Sequence, residues 1–256
     1  MDFMADTGMD ARPPLLTAAA ALYLDFDGTL AAFAPHPDGV TVDESLGTLL
    51  AGLRERLGGA VALVTGRTLA SLDALIAPNR YPGAGVHGLE LRLHEDGATH
   101  GVEPAAAASL ARELRQRFAD DPRIVIEDKG AAVALHYRRA RGRADECIAA
   151  MRELVESTDL EVITGHAVVE ARPPGVDKGG ALRSLSASPP FADRWPVFVG
   201  DDVTDEDGFR AAAELGGFGV KVGPGASIAR YRIAAVGGVY DWLRASLAAL
   251  TAESAR

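Results

Sequence analysis

The sequence has a single cysteine, Cys147, among its 256 residues. One thiol cannot close a disulfide within the chain, and this fits a reducing compartment. The longest apolar stretch near the N-terminus, Leu15–Leu24, is about half as long as a membrane-spanning helix requires. The first ten residues contain no basic side chain, whereas a secretory signal begins with basic residues. We therefore expect a cytoplasmic protein that makes no use of a membrane.

Positive charge is also scarce. The net charge of -10 argues against a nucleic acid or an acidic membrane surface as partner, because clustered positive charge drives binding to phosphate backbones. Only three of the 26 basic side chains are lysines, namely Lys129, Lys178 and Lys221, so a lysine is informative where it occurs. With 48% apolar and 24% charged residues the composition is that of a globular protein. A small-molecule substrate and a monomer are the expectations.

Short apolar runs alternate with amphipathic stretches over much of the chain, which predicts an α/β fold with a parallel sheet covered by helices. The predicted strands are Ala21–Leu24, Ala60–Val64, Gly83–Val86, Pro196–Val199 and Gly217–Val222. The predicted helices are Asp43–Leu57, Leu69–Ile76, Lys178–Leu185, Thr204–Leu215 and Tyr240–Leu250. Asp43, Thr68 and Asp177 are candidate helix caps.

Residues 104–173 break this alternation, because they read helix, strand, strand, helix, strand, strand. The short turns between the strands indicate antiparallel hairpins. We therefore predict an inserted αββαββ domain at 104–173 between two parts of a core domain, 1–103 and 174–256.

Four of the core strands are followed directly by polar residues: Asp25, Thr65, His87 and Asp201. The carboxyl ends of parallel strands meet at one edge of a sheet, and ligands bind in the crevice beyond that edge. The sequence thus predicts that these side chains converge on one site.

The stretch Asp-Phe-Asp-Gly-Thr begins at Asp25. Its spacing of two puts Asp25 and Asp27 on the same side of an extended segment. Gly28 permits a tight turn, and the amides that follow can point at a phosphate oxygen. Alternatively, Asp-Gly forms only a turn.

A second acidic stretch, Gly-Asp-Asp-Val-Thr-Asp, includes Asp201, Asp202 and Asp205. Hard oxygen ligands in this number suit Mg²⁺, although the later acids also suit the N-terminus of a helix. Asp201 is the preferred ligand because it lies nearest the strand. Repulsion among Asp25, Asp27 and Asp201 calls for a cation or for a proton on one of them.

Thr65 and Lys178 complete a phosphate site in this interpretation. A hydroxyl at a strand end, followed by Gly66 and a helix, can donate to a phosphate oxygen, although it can equally cap the helix. Lys178 begins a predicted helix, where the helix dipole favours an anion, so an anionic neighbour is expected there.

In their order along the chain, Asp-Phe-Asp-Gly-Thr, Thr-Gly-Arg, a lone lysine and Gly-Asp-Asp-Val-Thr-Asp resemble the four motifs of the haloacid dehalogenase superfamily. Further segments resemble the trehalose-6-phosphate phosphatase family within it. They are Ala-Pro-His-Pro-Asp at 34–38, Val-His-Gly-Leu-Glu at 86–90, Ala-Leu-His-Tyr-Arg at 134–138 and the run at 168–179. The resemblance extends from about Tyr23 to Leu243 and implies a Rossmann-like core with an inserted α+β cap.

The resemblance also implies roles for individual residues. The implied catalytic residues are Asp25 as nucleophile, Asp27 as acid and base, and Thr65 and Lys178 on the phosphate. The implied Mg²⁺ ligands are Asp25, the main-chain carbonyl of Asp27, and Asp201; we add Asp202, and whether Asp202 or Asp205 touches the metal stays open. The implied substrate-binding residues are Gly28, Thr29, Gly66, Arg67, His87, Lys129, Glu170 and Arg172, the last three in a cap that closes over the sugar. The weaker assignments are His87 and Arg67, which could serve a structural purpose alone.

These roles predict hydrolysis of trehalose 6-phosphate through an aspartyl-phosphate, with Mg²⁺ required. Three alternatives stay open at this point. One is a phosphatase for another sugar phosphate, such as sucrose phosphate or mannosyl phosphoglycerate, because only the cap would read the sugar. Another is a phosphosugar sensor without catalysis. The third is a phosphomutase of the same superfamily, which would shield the phospho-aspartate from water while the sugar turns round.

Overall fold

A computed structural model describes residues 12–32, 42–43, 45–101, 105–174 and 176–254. The motif at 34–38 and the predicted domain boundary at 103–104 lie outside the described residues. The chain divides into two compact units. The first unit contains the described residues up to Thr99 and those from Asp177 onwards, and the second is His100–Val176. The predicted insert falls within the second unit, and its function as a cap stays a prediction.

Twelve strands are found in the described part of the chain. They are β1 (Ala20–Leu24), β2 (Val61–Val64), β3 (Gly83–Gly85), β4 (Glu90–Arg92), β5 (His100–Gly101), β6 (Val125–Asp128), β7 (Val133–His136), β8 (Glu161–Gly165), β9 (Val168–Arg172), β10 (Trp195–Gly200), β11 (Phe218–Val222) and β12 (Tyr231–Ile233).

The strands of the first unit follow the order β12-β11-β10-β1-β2-β3-β4 across the sheet. Every neighbouring pair from β12 to β3 is parallel, and β4 alone runs antiparallel to its neighbour β3. The central strand β1 is buried along its whole length, as expected for a parallel strand covered on both faces. The predicted parallel α/β fold is confirmed.

The helices of the described chain are α1 (Ser45–Arg56), α2 (Leu69–Ile76), α3 (Ala105–Arg117), α4 (Ala144–Val155), α5 (Lys178–Ser186), α6 (Asp205–Glu214) and α7 (Val236–Ser254). Two predicted caps are present: Thr68 accepts a hydrogen bond from the amide of Ser71, and Asp177 accepts one from the amide of Gly180. These caps satisfy amides that the first turn of a helix leaves without partners. Of the helices described, none is both long and apolar enough to span a bilayer.

The strands β4, β5 and β12 were not predicted. In β4 the reason is Arg92, a charged residue that is only 1% exposed. Its guanidinium forms two hydrogen bonds of 2.7 Å with the carboxylate of Asp73 and also donates to the carbonyl of Tyr81. These partners come from other elements, so the short sequence of the strand carries no sign of them.

The second unit has an antiparallel sheet in the order β6-β7-β9-β8. One face of this sheet packs with α3 and α4, and β9 contributes Val169 and Ala171 to that apolar cluster. Glu170 and Arg172 therefore point to the other face, as strand alternation predicts. Ala167 lies in the turn before this strand, with a φ of 62°.

Candidate active site

The first feature of the site is the meeting of two acidic stretches at the carboxyl edge of the parallel sheet. Asp25 directly follows β1 and Asp201 directly follows β10, and these two strands pair in parallel with Leu24 opposite Val199. Oxygen atoms of Asp25, Asp201 and Asp205 all lie within 4.8 Å of one another. Asp25 and Asp201 therefore converge, as expected from the sequence.

Lys178 connects two of these acids. Its Nζ donates to Asp25 Oδ1 at 2.7 Å and to Asp205 Oδ1 at 2.6 Å, and the side chain is buried. Lys178 is the first residue of α5, where a cation opposes the helix dipole. Two carboxylates compensate for this unfavourable position, which agrees with the anionic neighbour inferred from the sequence.

Asp205 is a residue whose importance the sequence analysis underestimated. It is the first residue of α6 and is fully buried. Its Oδ2 accepts hydrogen bonds of 2.9 Å from the amides of Asp201 and Asp202, while Oδ1 receives Lys178. The position at a helix N-terminus suggested a cap, and the missing signal was the distant lysine that shares this carboxylate.

The electrostatics of this cluster are unfavourable without a further cation. Burial raises the pKa of Asp25 well above its usual range; the Lys178 ammonium opposes this rise, and the charges of Asp205 and Asp201 add to it. Burial and repulsion from Asp205 raise the pKa of Asp201 to about 7. Burial lowers the pKa of Lys178, but the charges of Asp205 and Asp25 outweigh it and hold that pKa above the usual value.

These carboxylates fit a hard divalent cation. They offer oxygen ligands from three side chains within a small space, and Lys178 bonds only Asp25 and Asp205 of the three. A bound cation would relieve the repulsion that raises the two carboxyl pKa values. Asp202 does not belong to this group of three; its Oδ1 accepts a hydrogen bond from the amide of Val203 at 2.7 Å.

Gly28 and Thr29 lie against Asp201. Gly28 has a φ of +88°, and a Cβ at this position would collide with the Asp201 carboxylate, so glycine is required twice over. The buried hydroxyl of Thr29 donates to Asp201 Oδ1 at 3.4 Å. Both residues therefore shape the position of Asp201.

Asp27 is held by Arg67. The guanidinium donates from Nε to Asp27 Oδ2 at 2.7 Å and from a terminal nitrogen to Oδ1 at 2.8 Å, which is a bidentate ion pair. Thr65 is fully buried at the end of β2, and its hydroxyl oxygen accepts the amide of Arg67 at 3.1 Å. The Thr-Gly-Arg motif thus fixes both its own hydroxyl and the carboxylate of Asp27.

His87 lies beside Gly66 in a strained backbone. Val86 and His87 have φ values of 47° and 56°, a region that is uncommon for side chains other than glycine. The amide of His87 donates to the carbonyl of Thr65 at 3.0 Å. A Cβ on Gly66 would come within 2.8 Å of the imidazole. Strain of this kind is found where function or packing over-determines a position.

The candidate residues of the second unit form ion pairs on the polar face of its sheet. Lys129 Nζ donates to Glu170 Oε2 at 2.8 Å, and both side chains are buried. Arg172 Nε donates to Glu161 at 3.3 Å. These pairs belong to the second unit alone.

The described fold is that of the haloacid dehalogenase-like hydrolases. A solved structure of such a hydrolase from B. subtilis has a TM-score of 0.61 at 16% identity, covering 88% of this chain and 99% of that one. The C-terminal domain of trehalose-6-phosphate phosphatase from C. albicans has a TM-score of 0.80 at 22% identity, covering 91% and 93%.

Sequence comparison defines the family within that class. The trehalose-phosphatase family matches residues 23–234, and the chain belongs to this family. It is 41% identical over 240 residues to the trehalose-6-phosphate phosphatase of Escherichia coli (strain K12), covering 93% of this chain and 90% of that protein. The resemblance inferred from the motifs is confirmed.

Proposed function

We propose that this protein hydrolyses trehalose 6-phosphate to trehalose and inorganic phosphate. Membership of the trehalose-phosphatase family supports the substrate. The observation that carries the chemistry is the buried carboxylate of Asp25, which shares Lys178 with Asp205 and lies within 4.8 Å of carboxylate oxygens of Asp201 and Asp205. This arrangement suits a nucleophile that meets a phosphate dianion beside a divalent cation.

Mg²⁺ is the cation that we propose for the cluster. Asp25, Asp201 and Asp205 offer the grouped oxygens, and the main-chain carbonyl of Asp27 and the carboxylate of Asp202 are the further candidates that the family resemblance and the acidic motif suggest. When bound, Mg²⁺ would neutralise negative charge on the phosphoryl oxygens. Side chains of the protein supply the nucleophile and the proton transfers.

In the first step, an oxygen of Asp25 attacks phosphorus. An Asp25 oxygen–phosphorus bond forms, and the bond from phosphorus to the sugar oxygen breaks. Asp27 carries a proton and gives it to the departing sugar oxygen. For this step Asp27 has to leave the bidentate contact with Arg67 and take up the proton that it donates.

In the second step, water attacks the aspartyl-phosphate. Asp27 takes a proton from this water, the Asp25 oxygen–phosphorus bond breaks, and inorganic phosphate leaves. Asp25 returns as the carboxylate and Lys178 stabilises it through the 2.7 Å hydrogen bond. Asp27 has regained its proton at the end of the second step, so the enzyme is ready for another cycle.

Binding of the phosphate is assigned to the residues around these carboxylates. These residues lie at the carboxyl edge of the sheet, and each offers either a hydrogen-bond donor or a main chain that a phosphate can approach closely. They are Gly28, Thr29, Thr65, Gly66, Arg67, His87 and Lys178. For the disaccharide we propose Lys129, Glu170 and Arg172 of the second unit, which would act as the cap of the enzyme.

We also propose that the protein is cytoplasmic and monomeric. Size-exclusion chromatography with light scattering would test whether it is a monomer.

The decisive assay is phosphate release from trehalose 6-phosphate with Mg²⁺ and with EDTA. We expect turnover only with Mg²⁺, and a loss of at least about 10⁴-fold in kcat for Asp25→Asn. Asp207→Asn is the matched control, since Asp207 is an aspartate in the first turn of α6 that forms an exposed ion pair with Arg210. A panel with sucrose phosphate and mannosyl phosphoglycerate tests the sugar. Equal rates on all substrates would contradict the substrate, and an unchanged rate in Asp25→Asn would contradict the mechanism.

A further inference from the structure

Lys221 is the one lysine to which the proposed reaction gives no task. It lies near the end of β11, and its side chain is buried at 6% exposure. Lysine is rarely buried without partners, because an ammonium loses its hydration in the interior. The position therefore needs a compensating interaction.

The ammonium of Lys221 is directed at main-chain oxygens. Nζ donates to the carbonyl of Asp201 at 2.6 Å and to the carbonyl of Val222 at 2.6 Å. The parallel register sets Gly200 opposite Lys221, so the lysine reaches the first residue after β10 from the neighbouring strand. A compact ammonium with three donors suits two converging carbonyls better than a planar guanidinium does.

Asp201 is thereby fixed on both sides of its Cα atom. Its amide donates to Asp205 Oδ2 at 2.9 Å, and its carbonyl receives Lys221. With both main-chain groups held, the carboxylate of Asp201 can reach only a small range of positions relative to Asp25. The same ammonium brings positive charge next to an acidic cluster, which lowers the repulsion that the buried carboxylates experience.

We propose that Lys221 is a positioning residue of the cation site: by holding the carbonyl of Asp201 it orients the carboxylate that binds Mg²⁺. The inference rests on the proposed function only in that the acidic cluster binds Mg²⁺. Lys221 itself contacts neither substrate nor metal in this role. Groups that orient metal ligands typically change metal affinity by about 10- to 100-fold when they are removed.

The test is calorimetric titration of Mg²⁺ into the metal-free protein without substrate. For Lys221→Met, which keeps the length of the side chain but loses the donors, we expect the Kd for Mg²⁺ to rise by about tenfold or more. Lys221→Gln retains an N–H donor and should recover part of the affinity; it also carries the test if Lys221→Met does not fold. In kinetics, the Mg²⁺ concentration for half activation should rise, while KM for trehalose 6-phosphate at saturating Mg²⁺ should stay nearly constant.

Arg232→Met is the matched control. Arg232 lies opposite Lys221 in β12 and likewise donates to main-chain carbonyls, those of Gly223 and Gly225. We expect its Kd for Mg²⁺ to stay close to that of the wild type. A folded Lys221→Met protein that melts earlier but binds Mg²⁺ as tightly as the wild type would overturn the inference alone. A wild type that binds no Mg²⁺ would overturn the cation site of the proposed function as well.

Discussion

The two units of the molecule handle buried charge in opposite ways. In the first unit, three carboxylates lie close together with Lys178 bonded to only two of them, and burial raises the pKa of Asp25 and of Asp201. In the second unit, acids are matched with bases, and hydrogen bonds from Arg123 hold the pKa of Asp121 well below its usual range. The acidic cluster of the first unit has more negative than positive charge, whereas Asp121 in the second unit has cationic partners that balance its charge.

This difference indicates a division of labour. A cluster with excess negative charge gains most from a divalent cation and an electrophilic phosphorus, whereas the charged pairs of a sheet face offer hydrogen-bond donors and acceptors to sugar hydroxyls. We therefore expect substitutions in the first unit to change kcat and metal binding, and those in the second to change KM.

The largest effect in this comparison is expected for Asp205→Asn, which removes a negative charge from beside Lys178. Lys178 would lose one of its two carboxylate partners, and kcat should fall by about 100-fold or more. Steady-state kinetics at saturating Mg²⁺ would measure this, with Asp207→Asn as the control in the same helix. A kcat close to that of the wild type would mean that Asp205 only caps α6.

A smaller effect, on KM alone, is expected for Glu170→Gln and Lys129→Met. Loss of a charged hydrogen bond to the sugar should raise KM for trehalose 6-phosphate by about 10- to 100-fold. Hydrolysis of p-nitrophenyl phosphate, which lacks the sugar, should stay nearly constant. Arg117→Met is the control, because Arg117 forms an exposed ion pair with Glu153 in the same unit. Equal losses on both substrates would remove the distinction between the units.

Mg²⁺ should also stabilise the folded protein. At a concentration of about 100 times Kd, binding contributes about 2.7 kcal/mol, and this should raise Tm by about 5 °C or more. Asp201→Asn should lose most of this increase, whereas Glu170→Gln should retain it. Differential scanning calorimetry with and without Mg²⁺ makes the measurement. A similar increase in both variants would show that Mg²⁺ acts elsewhere.

The smallest expected effect is the response of the second unit to acid. The pKa of Asp121 is lowered mainly by Arg123 and also by Arg143, against the effect of burial. A carboxyl with a lowered folded-state pKa stabilises the fold above its unfolded pKa of about 4, and this contribution is lost as the pH falls further. The protection factors of the α4 amides, which are corrected for the intrinsic pH dependence of hydrogen exchange, should therefore fall more between pH 6 and pH 3 in the wild type than in Asp121→Asn.

The exposed neighbour Asp120 supplies the control for that experiment. Asp120→Asn should keep the acid response of the wild type. An acid response in Asp121→Asn that equals the wild-type response would mean that other carboxyls of this unit dominate.

Much of the fold could be predicted because it depends on local patterns. Helix α2 occupies Leu69–Ile76 as predicted, because its cap and its apolar spacing lie in one short stretch. Strands β1 and β10 were recognisable as continuous apolar runs that end in aspartate. In contrast, β4 depends on the pairing of Arg92 with Asp73, which no local pattern contains.

The sequence by itself determined which acids end the strands of a parallel sheet, and therefore that Asp25 and Asp201 meet. Only the tertiary structure decided which further groups join them: Asp205 through the shared Lys178, and Lys221 through the carbonyl of Asp201. The physical reason is distance. The positions of the strands along the chain follow from short-range patterns, whereas contacts between side chains of β1, β11, α5 and α6 depend on how the helices and strands pack together.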